Sequence, residues 1–485
     1  MDNHVAKNWF AYLSRLVAKM RGLLVVVVVM LFIFTILGTR AETTRKNPPQ
    51  LTRLELKPTD RILVIAPHPD DETLSSGGLI RHAVTKGIPV KVTLMTCGDS
   101  YRGAVEVYLD VKNPVAKDYQ RLGVVRYHET LRAMAKLGLS KDDVIVLAYA
   151  DGSINSLYRR KWDSDQLHLG RNGEMYAPYS FAYEKKAPYC GENVVKNLAK
   201  IVKDFCPSII IYPDYEDFHH DHWATAAFVE YTTTKIGYQG ERYTYLVHRG
   251  PSWPVRGRYA SHLSINPPAA LGRLDVNWRK FSLTSAEKKL KRQAVFSYKS
   301  QELLAEPFFE AFVRNNELFA QYSDIKVAPV ETKPDFFAPG DLPEKIVFDP
   351  IRDARVKRFG GRGDLAGVSF AYDNQNTWLA IAAWDDIAPN VVYSLHLHIF
   401  EENRVKRLDV DVLNGKSFIR SRARNSIGSG MSLPVEFKGN RLVIQLPSSL
   451  FLDAHIVLVN VDTCRKKSDE RYRIDHTGWR RLLLK

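Results

Sequence analysis

An apolar run that ends in a histidine and three acids sets the first constraint on this chain. Arg61-Ile62-Leu63-Val64-Ile65-Ala66 reads as a buried strand, and Thr73 to Ala83 reads as a helix. Between them stands His68-Pro69-Asp70-Asp71-Glu72. A strand-to-helix turn of this kind lies at the carboxyl end of a strand, where open α/β sheets place their sites. Three carboxylates crowded beside one imidazole repel one another, and a bound cation relieves that repulsion. A helix N-terminus favours acids, but capping accounts for one or two of them and not for the preceding His-Pro.

The strand-helix alternation continues. Pro89–Thr96, Val144–Ala148, Ser208–Tyr212 and Tyr243–His248 read as strands. Tyr119–Leu139, Asn193–Phe205 and His222–Thr234 read as helices, and Ser285–Tyr322 reads as a helical stretch with many Lys/Glu pairs. The fold class is therefore α/β, a Rossmann-like parallel sheet with helices on both faces. Beyond the Pro-rich residues 329–344 the texture changes to short alternating runs with frequent turns, which predicts a C-terminal β-sandwich-like domain over 345–485. The long segment 153–190 is rich in tyrosine and offers rings either to a sugar or to packing over the sheet.

The amino-terminal 40 residues hold an uncharged apolar run, Gly22–Gly38, preceded by Lys7, Arg15, Lys19 and Arg21. The run approaches the roughly 20 residues needed to span a bilayer. It predicts a cytoplasmic tail and membrane anchor over 1–40, single-pass, with the bulk of the chain extracytoplasmic. A cleaved signal peptide with a secreted product is the competing reading. Residues 41–58 read as a linker, and the α/β domain as 59–328. The net charge of +15 favours anionic surfaces, yet no nucleic-acid module is evident. The four cysteines form no CxxC pair; a Cys190–Cys206 bridge competes with free thiols.

A second cluster, Asp217-Phe218-His219-His220-Asp221-His222, follows the strand ending at Tyr212. Both clusters follow parallel strands, so the fold brings them to one sheet edge. Histidine and carboxylate suit Zn²⁺, and His68, Asp71 and His222 supply three ligands with a place left for water. His396 and His398 share one face of a predicted strand, where a partly buried polar pair is the simpler reading than a second metal site.

Together the clusters resemble the PIG-L/LmbE family of zinc-dependent N-deacetylases. That family carries A-H-P-D-D-E and, further on, H-x-D-H; this chain has Ala66-Pro67-His68-Pro69-Asp70-Asp71-Glu72 and His219-His220-Asp221-His222. Gly98-Asp99, Arg126-x-x-Glu129, Asp151-Gly152 and Tyr298-Lys299-Ser300-Gln301 add to the likeness, which covers roughly residues 60–320. The resemblance implies that Asp70 is the general base, that His219, as an imidazolium, stabilises the oxyanion or donates a proton, and that Asp221 orients His219. Some family members place a Tyr two residues before that His; here the position is Asp217. Arg126 and Asp151 match positions near the substrate, against the simpler readings of a helix-surface pair with Glu129 and a turn residue before Gly152. His248 and Trp253 follow a strand at the same edge.

The function expected is removal of an N-acetyl group from an N-acetylglucosamine-type sugar, with Zn²⁺ as cofactor and a glycan or glycolipid as partner. An amidase on another N-acyl substrate and an inactive membrane-tethered glycan-binding protein are the alternatives.

Overall fold

The computed structural model describes residues 51–485 apart from 251–252, 255–259, 275, 350–361, 403, 421–431 and 468–469. Its first sheet is built from β1 (Thr52–Arg53), β2 (Ile62–Ala66), β3 (Val90–Thr96), β4 (Val144–Tyr149), β5 (Ile209–Pro213), β6 (Glu241–Tyr245), β7 (Asn277–Ser282) and β8 (Asn316–Gln321). The strand order is β1-β7-β8-β6-β5-β2-β3-β4. The five strands β6-β5-β2-β3-β4 run parallel. Every residue of β2 and β5 is buried, so these central strands are continuous apolar runs, as strands covered on both faces must be.

The helices are α1 (Asp71–Thr85), α2 (Arg102–Tyr108), α3 (Ala116–Leu137), α4 (Ile154–Arg159), α5 (Gly191–Phe205), α6 (His220–Lys235), α7 (Ser285–Val295) and α8 (Lys299–Glu310). The chain steps β2–α1–β3–α3–β4 in one direction across the sheet and returns through α5 to β5 and α6 to β6. Right-handed crossovers then place α1 and α3 on one face and α5 and α6 on the other. In agreement, α1, α3 and α7 pack together, as do α4, α5 and α6.

The sheet is mixed rather than wholly parallel: β8 is antiparallel to both β6 and β7. The helical stretch expected over Ser285–Tyr322 from its Lys/Glu pairs does not continue through Asn316–Gln321, which is strand β8. Burial of five of its six residues between two strands overrides that local pattern. The tyrosines of 153–190 mostly serve packing: Tyr158, Tyr179 and Tyr189 are buried, and Tyr176 is exposed.

The rest of the chain is β: β9 (Ile325–Val327), β10 (Lys345–Phe348), β11 (Leu365–Tyr372), β12 (Asn376–Ala383), β13 (Val391–Phe400), β14 (Val405–Leu413), β15 (Lys416–Arg420), β16 (Val435–Lys438), β17 (Arg441–Pro447), β18 (Ile456–Lys467), β19 (Glu470–His476) and β20 (Arg480–Leu484). They form a sheet ordered β10-β11-β12-β17-β16 and another ordered β15-β14-β13-β18-β20-β9, with β19 beside β18. Leu379 and Ile381 of the first sheet share a core with Leu395, Leu397 and Ile399 of the second. The alternate residues of β13 face the other way. Phe400, with Ile456, Leu458 and Trp479, belongs to the core of the α/β layers. His398 meets Tyr158 of α4 (Nδ1 to Oη 3.1 Å) and the ring of Tyr231 of α6.

Two expectations are corrected. Among the described residues no helix is long and apolar enough to cross a membrane, and the segment 22–38 on which the single-pass, extracytoplasmic reading stood lies outside the described residues. A Cys190–Cys206 bridge is ruled out by geometry. The two residues cap the opposite ends of α5, which at 1.5 Å per residue places them about 24 Å apart, far beyond the roughly 7 Å limit between bridged Cα atoms. None of the four cysteines forms a disulfide.

Candidate active site

The carboxyl ends of the five parallel strands deliver the site. β2 and β5 are neighbours in register, Ile62 opposite Ile209 and Val64 opposite Ile211. The turns that follow them, leading into α1 and α6, therefore face each other. His68, Asp70 and Asp71 come from the first turn; Asp217, His219, Asp221 and His222 come from the second. The ends of β3, β4 and β6 add Gly98, Asp151 and His248.

One oxygen, Asp71 Oδ2, lies 3.1 Å from His68 Nδ1 and 3.1 Å from His222 Nε2. His222 Nε2 is buried and makes no hydrogen bond of good geometry. A carboxylate oxygen shared by two imidazoles, one with an orphaned nitrogen, is a donor set that fits a divalent cation of the zinc type. Each histidine is held from behind by acid. His222 Nδ1 meets Asp217 Oδ2 at 3.1 Å. His68 Nε2 meets Asp151 Oδ1 at 3.2 Å and Asp221 Oδ2 at 3.4 Å. The rings of His219 and His248 close the cluster, with centroids 5.1 and 4.9 Å from that of His222.

The electrostatics follow from burial opposed by these contacts. Burial disfavours charge on Asp71, but His222 and His68 outweigh it and hold the carboxyl well below its usual range. Burial likewise opposes charge on His222, which Asp217 and Asp71 nonetheless raise to about 9. Asp70 behaves differently: burial, with Asp71 and Glu72 nearby, pushes it up to about 8 although Arg126 pulls it down. His248, desolvated, falls to about 4.

Asp70 adopts φ 117°, a conformation costly for a non-glycine residue and of the kind concentrated at functional sites. It is fixed from two sides. Arg126 Nη2 donates to Asp70 Oδ2 at 3.0 Å and to the Pro69 carbonyl, and Arg126 Nη1 donates to the Gly98 carbonyl at 2.9 Å. The Asp70 amide donates to Glu72, whose other oxygen accepts from Thr73 and Tyr298. Arg126 is thus a buried strut beneath the turn and not a surface partner of Glu129. Glu129 instead accepts the amide and hydroxyl of Ser300.

Two expected arrangements are corrected. The Asp221 carboxylate does not orient His219. It accepts the amides of Gly152 at 2.7 Å and Ile154 at 3.0 Å and faces His68, while only the Asp221 backbone amide meets His219 Nδ1. With no carboxylate against its ring, and with burial and the rings of His68, His222 and His248 around it, His219 is pushed down to about 2, which disfavours the imidazolium expected of it. Asp217 belongs to the second cluster in the sequence, but no role is predicted for it beyond its departure from the Tyr of some family members. Its position five residues before His222, in a cluster already read as metal-binding, was the available signal, since ligating histidines commonly lean on a carboxylate. Trp253 donates to the Asn266 carbonyl and packs near Phe312.

Residues 63–232 match the family model described as PIG-L, GlcNAc-PI de-N-acetylase. Two relatives named 1D-myo-inositol 2-acetamido-2-deoxy-alpha-D-glucopyranoside deacetylase match in sequence. That of Corynebacterium kroppenstedtii is 26% identical over 33% of this chain and 37% of its own length. That of Tsukamurella paurometabola is 26% identical over 41% of this chain and 64% of its own length. The match thus spans less than two thirds of either relative. The zinc inhibited form of teicoplanin deacetylase Orf2 is 17% identical, with a TM-score of 0.36 over 54% of this chain and 97% of that one. The residues similar to that family model, 63–232, carry both the β2 and the β5 turns.

Proposed function

We propose that this chain is a metal-dependent deacetylase that hydrolyses the acetamide of an N-acetylglucosamine-type sugar, built on a Rossmann-like core. The observation that carries the reading is the single oxygen of Asp71 held 3.1 Å from an imidazole nitrogen of both His68 and His222. The names of the inositol glucosaminide deacetylases it resembles supply the substrate class.

In this reading His68, Asp71 and His222 would hold Zn²⁺, which when bound would supply Lewis-acid chemistry, making water more acidic and polarising the amide carbonyl. Asp217 and the Asp151–Asp221 pair hold the two imidazoles in orientation. Asp70 takes the proton of the attacking water and returns it to the departing amine. Its carboxyl keeps 13% of its side chain exposed while Arg126 holds it in place. His219 serves as a neutral hydrogen-bond donor to the developing oxyanion, a role its Nδ1 contact with the Asp221 amide supports by leaving Nε2 to carry the proton.

The test is acetate release from N-acetylglucosaminides, including the inositol glucosaminide, by the metal-stripped chain before and after zinc is restored. Release that depends on zinc supports the reading. A zinc-loaded chain that releases acetate from none of these sugars would sink it.

A further inference from the structure

The residue after His222 ties the site to the sandwich. Trp223 is buried, and two guanidinium groups lie over its ring: Arg159 Cζ at 4.7 Å and Arg473 Cζ at 4.9 Å from the centroid. Arg159 ends α4, and Arg473 belongs to β19. Arg159 Nη1 in turn donates to Asp462 Oδ2 of β18 at 2.5 Å, and the same oxygen lies 3.1 Å from His396 Nε2 of β13. Arg407 of β14 donates to the Tyr158 carbonyl at 2.9 Å and stacks over Trp162 at 4.1 Å. The sandwich therefore grips the carboxyl end of α4 through buried charge. At the other end of α4, the amides of Gly152 and Ile154 hold the Asp221 carboxylate that faces His68.

Resting on the metal-dependent reading above, we propose that Asp462, Arg159 and Trp223 are positioning residues through which the C-terminal sandwich sets the placement of His222 and Asp221. The sandwich is then a working part of the site and not an appended module. The physical case is continuity. Trp223 and His222 are adjacent on one helix turn, so a shift of the ring moves the imidazole. Groups behind metal ligands typically govern metal affinity or activity by 10- to 100-fold, and a displacement of about 1 Å costs on the order of 100-fold in rate. Asp462 contributes as a charge: burial opposes its ionisation, yet Arg159 and His396 hold it well below the usual carboxylate range.

The test uses the full chain, stripped of metal, with zinc affinity read by equilibrium dialysis against a competing chelator and with kcat and KM read by acetate release. D462N and W223L are expected to weaken zinc binding by about 10-fold or more and to lower kcat while KM stays within about twofold. R159K, which keeps the charge, is expected to lose less than R159M. L379A, in the sandwich core away from the network, is expected to lower the Tm while leaving zinc affinity unchanged. Wild-type zinc affinity in folded D462N and W223L overturns the proposal, as does an L379A loss equal to that of D462N. If D462N and W223L do not fold, the R159K and R159M comparison decides it, equal affinities overturning it. A wild-type chain that binds zinc but releases no acetate defeats the deacetylase reading alone, and the affinity series still decides the positioning role.

Discussion

One oxygen of Asp217 serves three partners: His222 Nδ1 at 3.1 Å and the amides of Val247 and His248 at 2.9 Å each. The other oxygen accepts the His219 amide at 2.9 Å. A single carboxylate thereby holds the proton on His222 Nδ1, which leaves Nε2 as the nitrogen available to a metal, and locks the loop after β6 to the α6 turn. D217N keeps the shape but removes charge and half the acceptor capacity. It is expected to weaken zinc binding by about 10- to 100-fold and to cost about 1–3 kcal/mol in urea unfolding through the amides left unpaired. Zinc affinity equal to wild type would refute the orienting role.

Asp70 should separate chemistry from metal binding. Its carboxylate is turned to Arg126, while the three proposed ligands cluster around Asp71. D70N is expected to lower kcat by about 100- to 10,000-fold, the usual worth of a general base, with zinc content unchanged by atomic absorption. Loss of both together would place Asp70 among the ligands.

The paired clusters were legible because each is local. A strand, a turn and a helix can be read from a dozen residues, and parallel neighbours put their turns at one edge. The α1 and α6 turns and the histidines and acids on them follow from that logic. What the sequence hid is non-local. The role of Asp217 depends on amides 30 residues downstream, and the side chain of Asp221, which the family resemblance sets against His219, reaches across to the end of β4. Arg126 looks like a surface helix residue by spacing, yet lies 4% exposed beneath the first turn. Strand β8 ends a stretch whose Lys/Glu pairs predict helix, and its pairing with β6 and β7 is non-local.

Gly98 tests the strut. Its φ is +61°, and a Cβ there would lie 1.9 Å from Arg126 Nη1. Ala at this position meets both a backbone penalty of about 1–2 kcal/mol and a guanidinium that has to move. Since that guanidinium holds Asp70 and the Pro69 carbonyl, G98A is expected to lower stability by at least about 1 kcal/mol in urea unfolding and to lower kcat with it. A variant as stable and active as wild type would show that the turn does not depend on Arg126.

His396 gives the sandwich contact a pH signature. Its Nδ1 lies 2.5 Å from Asp409 Oδ1 and its Nε2 3.1 Å from Asp462 Oδ2. Burial opposes its charge, but the two carboxylates prevail and raise it above its ordinary 6.5. Arg159 faces Asp462 from α4, and the Trp479 ring lies 6.5 Å from the His396 ring. A histidine raised on folding stabilises fully below about pH 6.5, and that contribution is lost as pH rises through its folded value. Burial also opposes the charges of Asp409 and Asp462, yet their cationic partners, His396 for Asp409 and Arg159 and His396 for Asp462, hold both below their ordinary range. Their contribution is full above about pH 4 and fades only as pH falls through the lowered values. The window of greatest benefit therefore runs from about pH 4 to about pH 6.5. H396Q, which cannot carry charge, is expected to be less stable than wild type by about 3 kcal/mol at pH 5.5 in urea unfolding, with the gap narrowing as the pH is raised above neutrality. A gap that stays constant across that range would mean that His396 is held neutral between the two carboxylates.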